Sequence, residues 1–201
     1  MNVDRGYVKK QAEALIDKYT LTVPVKVFQL ADLMGVQWKT CTPLILKKEL
    51  IKSHPKTKDH VDSWDSVLGF YDVNKKCVLL NEIDQPITRQ RFTMAHEIGH
   101  IVLHDSTLDP MHTIHLRSDL IQPRDTKEAE ANYFAGYLLV PDQALEEKLK
   151  FTEVLSGADT IVKSFSKMFA VSDESLRVRL KTFKTDFPDV WNEYNLSAKI
   201  F

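Results

Sequence analysis

Residues 94–104, MAHEIGHIVLH, hold two histidines four apart, a glutamate beside the first, and a third histidine one turn further on. In an α-helix residues i and i+4 share a face. His96 and His100 can therefore direct their imidazoles at one metal ion. Glu97 is turned from them by about 100°, at 3.6 residues per turn. It is poorly placed to ligate the same ion, but it can reach a water bound to it. Two ligands and a general base on little more than one helical turn are the parts of a metal-assisted hydrolase. The competing reading is a helix with buried, hydrogen-bonded histidines. The surroundings favour the metal. Gly99 costs a helix about 1 kcal/mol against alanine, so its place between the ligands implies that another element comes close there. Phe92, Ala95, Val102 and Leu103 would bury the helix, and a buried His-Glu-His set needs something to satisfy it.

A catalytic zinc usually has three protein ligands and an open water position. The extended pattern HExxHxxGxxH is absent, because Leu103 stands at its glycine and Ser106 at its third histidine. His104 continues the i+4 row, but one more turn carries it about 6 Å along the axis at 1.5 Å per residue. It is expected to cap or pack. Residues 127–141, KEAEANYFAGYLLVP, offer Glu128 and Glu130 on a second helix. Glu128, Asn132, Ala135 and Leu139 share a face, and Ala131 with Ala135 keeps it small enough for another helix to approach. Glu130 points off that face. Glu128 is the expected third ligand in preference to Glu130, and Asn132 can hydrogen-bond a metal-bound histidine. Without a metal, both carboxylates read as solvated groups favoured by the helix dipole. Two histidines and a glutamate suit Zn²⁺, with Mn²⁺ or Fe²⁺ also compatible. A developing oxyanion needs a further donor, for which His112, His115, Arg117 and Tyr137 are all candidates. Leu79, Leu80 and Asn81 end a strand that could hold a peptide substrate by edge pairing.

The elements that would position these groups follow from periodicity. Val8, Ala12, Leu15, Ile16 and Tyr19 predict an amphipathic helix over residues 5–19. Residues 25–35 predict a short helix ending at Gly35, and residues 36–40 a strand. Residues 46–63, LKKELIKSHPKTKDHVDS, are rich in lysine and predict a long surface excursion with a helical turn or two. The runs 67–71 and 77–81 flank DVNKK, a hairpin signal with Asp72 and Asn74 in the turn. Pro86 opens a long helix to about His104. A polar connection over residues 105–126 leads to a helix over 127–139 that stops before Pro141. Ile161, Val162, Phe165, Met168 and Phe169 give another helical stripe. A last helix starts near Ser172 and carries Leu176, Leu180 and Phe183. The order is α+β: a mainly helical domain, with a small sheet beside the HExxH helix and a C-terminal helix pair. One domain over residues 1–201 is expected, with N-terminal helices and hairpin to 85, metal-binding helices over 86–141 and C-terminal helices over 142–201.

The bulk composition fits. The chain has 201 residues, 43% of them hydrophobic, enough for one sizeable core. A net charge of −1 gives no global attraction to nucleic acid or acidic membrane. Two cysteines, Cys41 and Cys77, make no disulfide framework and read as reduced thiols of a cytoplasmic protein. The N-terminus lacks the apolar core of a signal peptide, and no run approaches the ~18 apolar residues of a membrane span.

The segments RQRFTMAHEIGHIVLH and EAEANYFAGYLLVP together resemble the ImmA/IrrE family of metallopeptidases. VLLNE, at residues 78–82, resembles the family's run-in strand, and FSKMFAVSDESLRVRL, at residues 165–180, its terminal helix pair. The resemblance covers most of the chain. It implies a zinc endopeptidase with a ligand glutamate four residues before the asparagine, Glu128 here, in agreement with the helical-face argument. It also implies a substrate class: helix-turn-helix repressors whose cleavage derepresses genes of mobile elements, prophages or stress responses. Only about 85 residues precede the metal helix and they include the hairpin, so the repressor is expected to be a separate protein. Three rival readings follow from the same residues. The cadence of FAVSDESLRVRL suggests a DNA-binding helix-turn-helix, although no basic footprint accompanies it. The chain could instead be a non-catalytic interaction module, an antitoxin-like partner of a regulator. Zinc could be purely structural, but that needs a fourth ligand, for which His104 and His115 are the best candidates.

Overall fold

In the computed structural model of the chain, residues 3–53, 67–82, 86–104, 114–116, 125–151 and 158–193 are described. Helix α1, Arg5–Tyr19, forms where the apolar spacing predicts it; Asp4 caps it by accepting from the Tyr7 amide, and Val8, Ala12 and Leu15 face the core. Helix α2, Val27–Leu33, stops just before Gly35, whose φ of +72° suits a residue without a Cβ. Strand β1, Gln37–Cys41, follows.

Residues 46–63 depart from the surface excursion expected of them. Helix α3, Pro43–Ser53, occupies their first part. Leu46 and Leu50, one turn apart, are fully buried against Val67, Phe70 and Leu79. The lysines of this segment outnumber its leucines, so its mean polarity hides a two-residue apolar stripe. Proline at the first helical position, whose amide needs no partner, is the local start signal. The remainder of the excursion lies outside the described residues.

Strands β2, Val67–Asp72, and β3, Cys77–Asn81, form the predicted antiparallel hairpin. The sheet order is β1-β3-β2-β4, with β1 parallel to β3 and β4, Ile114–Leu116, antiparallel to β2. Strand β4 lies inside the stretch expected to be only a polar connection. Every residue of β2 and β3 is buried, because both faces of the sheet are covered. Phe70, Leu79 and Cys77 look toward α3. Gly69, Tyr71, Val78 and Leu80 look the other way, toward helix α4, Ile87–His104. A Cβ on Gly69 would fall 2.8 Å from the Leu79 carbonyl and 3.0 Å from Thr93 Cγ2. The missing side chain thus lets α4 lie directly on the sheet.

Helix α5, Thr126–Leu139, packs along α4, and Phe134, Ala135 and Leu138 share a core with Met94, Ala95 and Ile98. Helix α6, Asp142–Lys150, follows immediately and was not expected; Pro141 ends α5 and stands at the start of α6, which buries Leu145 and Leu149. Helices α7, Ala158–Phe169, and α8, Asp173–Asp186, are the predicted pair, with Ser172 capping α8 through the Ser175 amide. A further short helix, α9, Pro188–Glu193, buries Trp191 beyond the helix expected to be last. Arg91 of α4 donates to the carbonyls of Ala170 (2.9 Å) and Phe169 (3.4 Å), fastening the end of α7 to the start of the metal helix. Among the described residues no helix is long and apolar enough to cross a membrane.

Candidate metal centre

Helices α4 and α5 meet at Gly99. A Cβ there would lie 3.1 Å from Phe134 Cδ1 and 3.3 Å from both the Cα and the carbonyl oxygen of Ala131. This is the close approach that a glycine between two histidines implied. Two of the three contacts are backbone, so relief would require α5 itself to move, and Glu128 with it. Overpacking costs about 1–3 kcal/mol, against about 1 kcal/mol gained in helix propensity. Gly99→Ala is therefore expected to lower the melting temperature and weaken metal binding together. Calorimetry and a chelator competition check this, and an unchanged metal affinity would show that α5 absorbs the methyl without shifting Glu128.

The local sequence sets the first turn of α5. Asp125 is its N-cap and accepts from the Glu128 amide at 3.1 Å. Glu128 is thus the third residue of the helix, where the glutamate of a capping box would turn back to the cap. Here its carboxylate turns to α4. Oε2 lies 3.4 Å from His96 Nε2 and Oε1 lies 3.3 Å from His100 Nε2. The two Nε2 atoms are 3.0 Å apart. His96, Glu97 and Glu128 are fully buried and His100 is 1% exposed.

Three electron-pair donors within 4.8 Å of one another could hold a metal ion. The spacing fits one. A tetrahedral ion with bonds of about 2.0–2.1 Å, as zinc makes to nitrogen and oxygen, separates its ligands by about 3.3 Å. The observed separations are 3.0–3.4 Å. Hydrogen bonding points the same way. His96 Nδ1 lies 3.0 Å from Asn132 Oδ1; that oxygen accepts, so Nδ1 carries the proton and the Nε2 lone pair is turned to the centre. Protonation agrees as well. Burial pushes His100 down to about 4, against the pull of Glu128. Burial works against ionisation of Glu128, but its contacts with His100 and His96 outweigh this and hold the carboxyl well below the usual range. A neutral imidazole and a carboxylate are the states that a cation requires.

Sequence-predicted residues distribute as follows. His96, His100 and Glu128 are brought together, Asn132 joins them through His96, and Glu97 is buried next to His96 on the same helix. Tyr137 is turned elsewhere: its hydroxyl donates to Asp186 of α8 at 2.7 Å, and it links two helices rather than facing the metal ligands. The reason is helical phase, since nine residues after Glu128 is half a turn out. The expectation of edge pairing along Leu79, Leu80 and Asn81 is also corrected. Strand β3 is paired on one side by β1 and on the other by β2, Leu79 and Leu80 are buried, and Asn81 donates to the Val67 carbonyl at 3.0 Å. Among the described residues the outer strands are β1 and β4. His115 lies in the backbone of β4, and its side chain is outside the described residues, as are His112 and Arg117. Arg179, on the helix with a DNA-binding cadence, is 3% exposed and pairs with Asp142. Arg177, nearer the surface, pairs with Asp159.

Glu130 is the residue that sequence reasoning undervalued. Expected only to point off the ligand face, it accepts from His104 Nε2 at 2.8 Å. His104 Nδ1 in turn lies 3.2 Å from His100 Nδ1. The available signal was the unbroken i+4 row of histidines, followed on the next helix by two glutamates.

The sequence profile of the IrrE N-terminal-like domain, a peptidase family, matches residues 50–181. The radiation response metalloprotease IrrE of Deinococcus radiodurans is 34% identical over 84 residues, which are 41% of this chain and 24% of that protein. The chain thus aligns with about a quarter of that relative's length. A Mycobacterium tuberculosis transcriptional regulator of known structure superposes with a TM-score of 0.38 at 14% identity, over 84% of this chain and 50% of the other.

Proposed function

Since the chain belongs to the IrrE N-terminal-like family of peptidases, we propose that it is a zinc-dependent endopeptidase acting on a separate, cytoplasmic helix-turn-helix repressor. The observation that carries the reading is the convergence of His96, His100 and Glu128 beside a buried Glu97. His96, His100 and Glu128 would hold a divalent ion, which would supply Lewis-acid polarisation of a scissile carbonyl and a water of lowered pKa, towards ~7. Glu97 accepts the proton of the attacking water and passes it to the leaving amine. Asn132 holds the His96 ring in one orientation and tautomer. A peptide adding as a strand would pair with β1 or β4, the outer strands among the described residues.

The repressor as substrate is supported by the family resemblance and by a net charge too close to neutral for the chain to seek DNA itself. The burial of Arg179 removes one of the cations that a DNA-binding role would use. A cytoplasmic setting accords with two buried thiols that stay free.

The first test is elemental analysis of protein purified without a histidine tag. About one zinc per chain is expected in wild type and none in His100→Ala. Incubation with candidate repressors, followed by mass spectrometry of the fragments, then identifies substrate and bond. Wild type that stays metal-free after reconstitution would overturn the reading.

A further inference from the structure

We propose that Glu130 and His104 form a relay that fixes the tautomer of His100, so that its Nε2 offers a lone pair to the metal. The inference rests on the metal reading above and concerns residues outside the ligand set. A neutral imidazole carries one proton, and its position on each ring is set by what the other nitrogen faces. The Glu130 carboxylate can only accept, so at 2.8 Å it requires the His104 proton on Nε2. His104 Nδ1 is then an acceptor, and the atom 3.2 Å from it is His100 Nδ1. That atom must donate. The one proton of His100 is thereby held on Nδ1, and Nε2, 3.3 Å from Glu128, is left with its lone pair.

The reverse arrangement is costly at each step. A proton on His104 Nδ1 would turn the Nε2 lone pair against the Glu130 carboxylate. It would also force the His100 proton onto Nε2, into the ligand position. The two metal histidines therefore receive the same tautomer from different sources. Asn132 does it directly for His96, and Glu130 does it through an intervening histidine for His100. This gives a physical role to the third histidine of the row, which sits too far along the helix to ligate. His104 is 7% exposed and its partner is at the surface edge, with a side chain 21% exposed. The relay therefore runs from the solvent boundary to the buried ligand. Both are positioning residues, and neither touches a reacting atom.

The test is zinc affinity, by competition with a chelator, joined to ¹⁵N NMR of the histidine tautomers. Substitution of partners that orient a metal-bound histidine typically costs about 10–100-fold in metal affinity. His104→Phe and Glu130→Ala are each expected to lose about tenfold or more, and His100 in the metal-free variants to gain the Nε2–H signal. His104→Gln can accept from His100 through its oxygen and donate to Glu130 through its nitrogen. It is expected to restore affinity to within about threefold of wild type, well inside the roughly tenfold loss expected of the other two variants. Should His104→Phe fail to fold, Glu130→Ala, at a partly exposed helix position, carries the test. Wild-type affinity and an unchanged tautomer in Glu130→Ala would overturn the relay while leaving the metal site intact. A His104→Gln as impaired as His104→Phe would make the role one of packing. Absence of zinc binding by wild type would overturn the metal reading, and the relay with it.

Discussion

Glu97→Gln is expected to abolish peptide cleavage and to leave the metal in place. The substitution keeps shape and volume at a fully buried position, so neither helix packing nor the ligands beside it are disturbed. What it removes is the ability to accept a proton. General-base catalysis contributes about 10²–10⁴ in rate, and the loss should fall on turnover rather than on substrate binding. Metal content and cleavage rate, measured on the same preparation, separate the two effects. Cleavage surviving at wild-type rate would assign the base to another residue. Metal lost along with activity would place Glu97 among the ligands.

The second large effect is expected at Glu128. A zinc ion held by the folded protein and not by the unfolded chain would stabilise it by about 4.1 kcal/mol at a thousandfold excess over Kd. For a chain of this size each kcal/mol moves the melting temperature by about 2–4 °C. Wild type should therefore melt roughly 8–16 °C higher with zinc than with a chelator, on that scale. Glu128→Ala should lose this difference. The third ligand is gone, and Glu130, the other carboxylate of the same helix start, is engaged with His104. Melting curves of both proteins, with and without zinc, decide the point. A full zinc shift in Glu128→Ala would move the third ligand to another residue. The comparison is internal to each protein, so a change in its metal-free stability does not confuse it.

The same residues show why some of the site could be read in the sequence and some could not. His96, Glu97 and His100 are related by helix geometry alone, and a helix repeats every 3.6 residues wherever it lies. Glu128 needed one step more, since a ligand face had to be matched to a small-residue face. Ala131 and Ala135 supplied it, because small residues let two helices approach, and the structure sets Ala131 against Gly99. The pair Glu130 and His104 was out of reach. Helical phase places Glu130 away from Glu128, and its engagement depends on how α5 crosses the end of α4, which no local spacing records.

The sheet divides in the same way. The hairpin of β2 and β3 was legible because its partners are adjacent in the chain and a turn sets their register. The parallel pairing of β1 to β3 joins Gln37 to Cys77 and Cys41 to Asn81, across a distance in sequence that carries no register signal. That pairing closes the side of β3 on which a substrate had been expected. Helix α3 was hidden for a related reason. Only the sheet face above Leu46 and Leu50 turns two leucines among lysines into a core. The sequence by itself determined the candidate ligands, the candidate base and the helices that carry them, because those follow from periodicity and local capping. The tertiary structure decided that β3 is paired on both sides, what covers the sheet, and which carboxylate sets the proton on His100. Each of these depends on surfaces that meet only when distant segments pack.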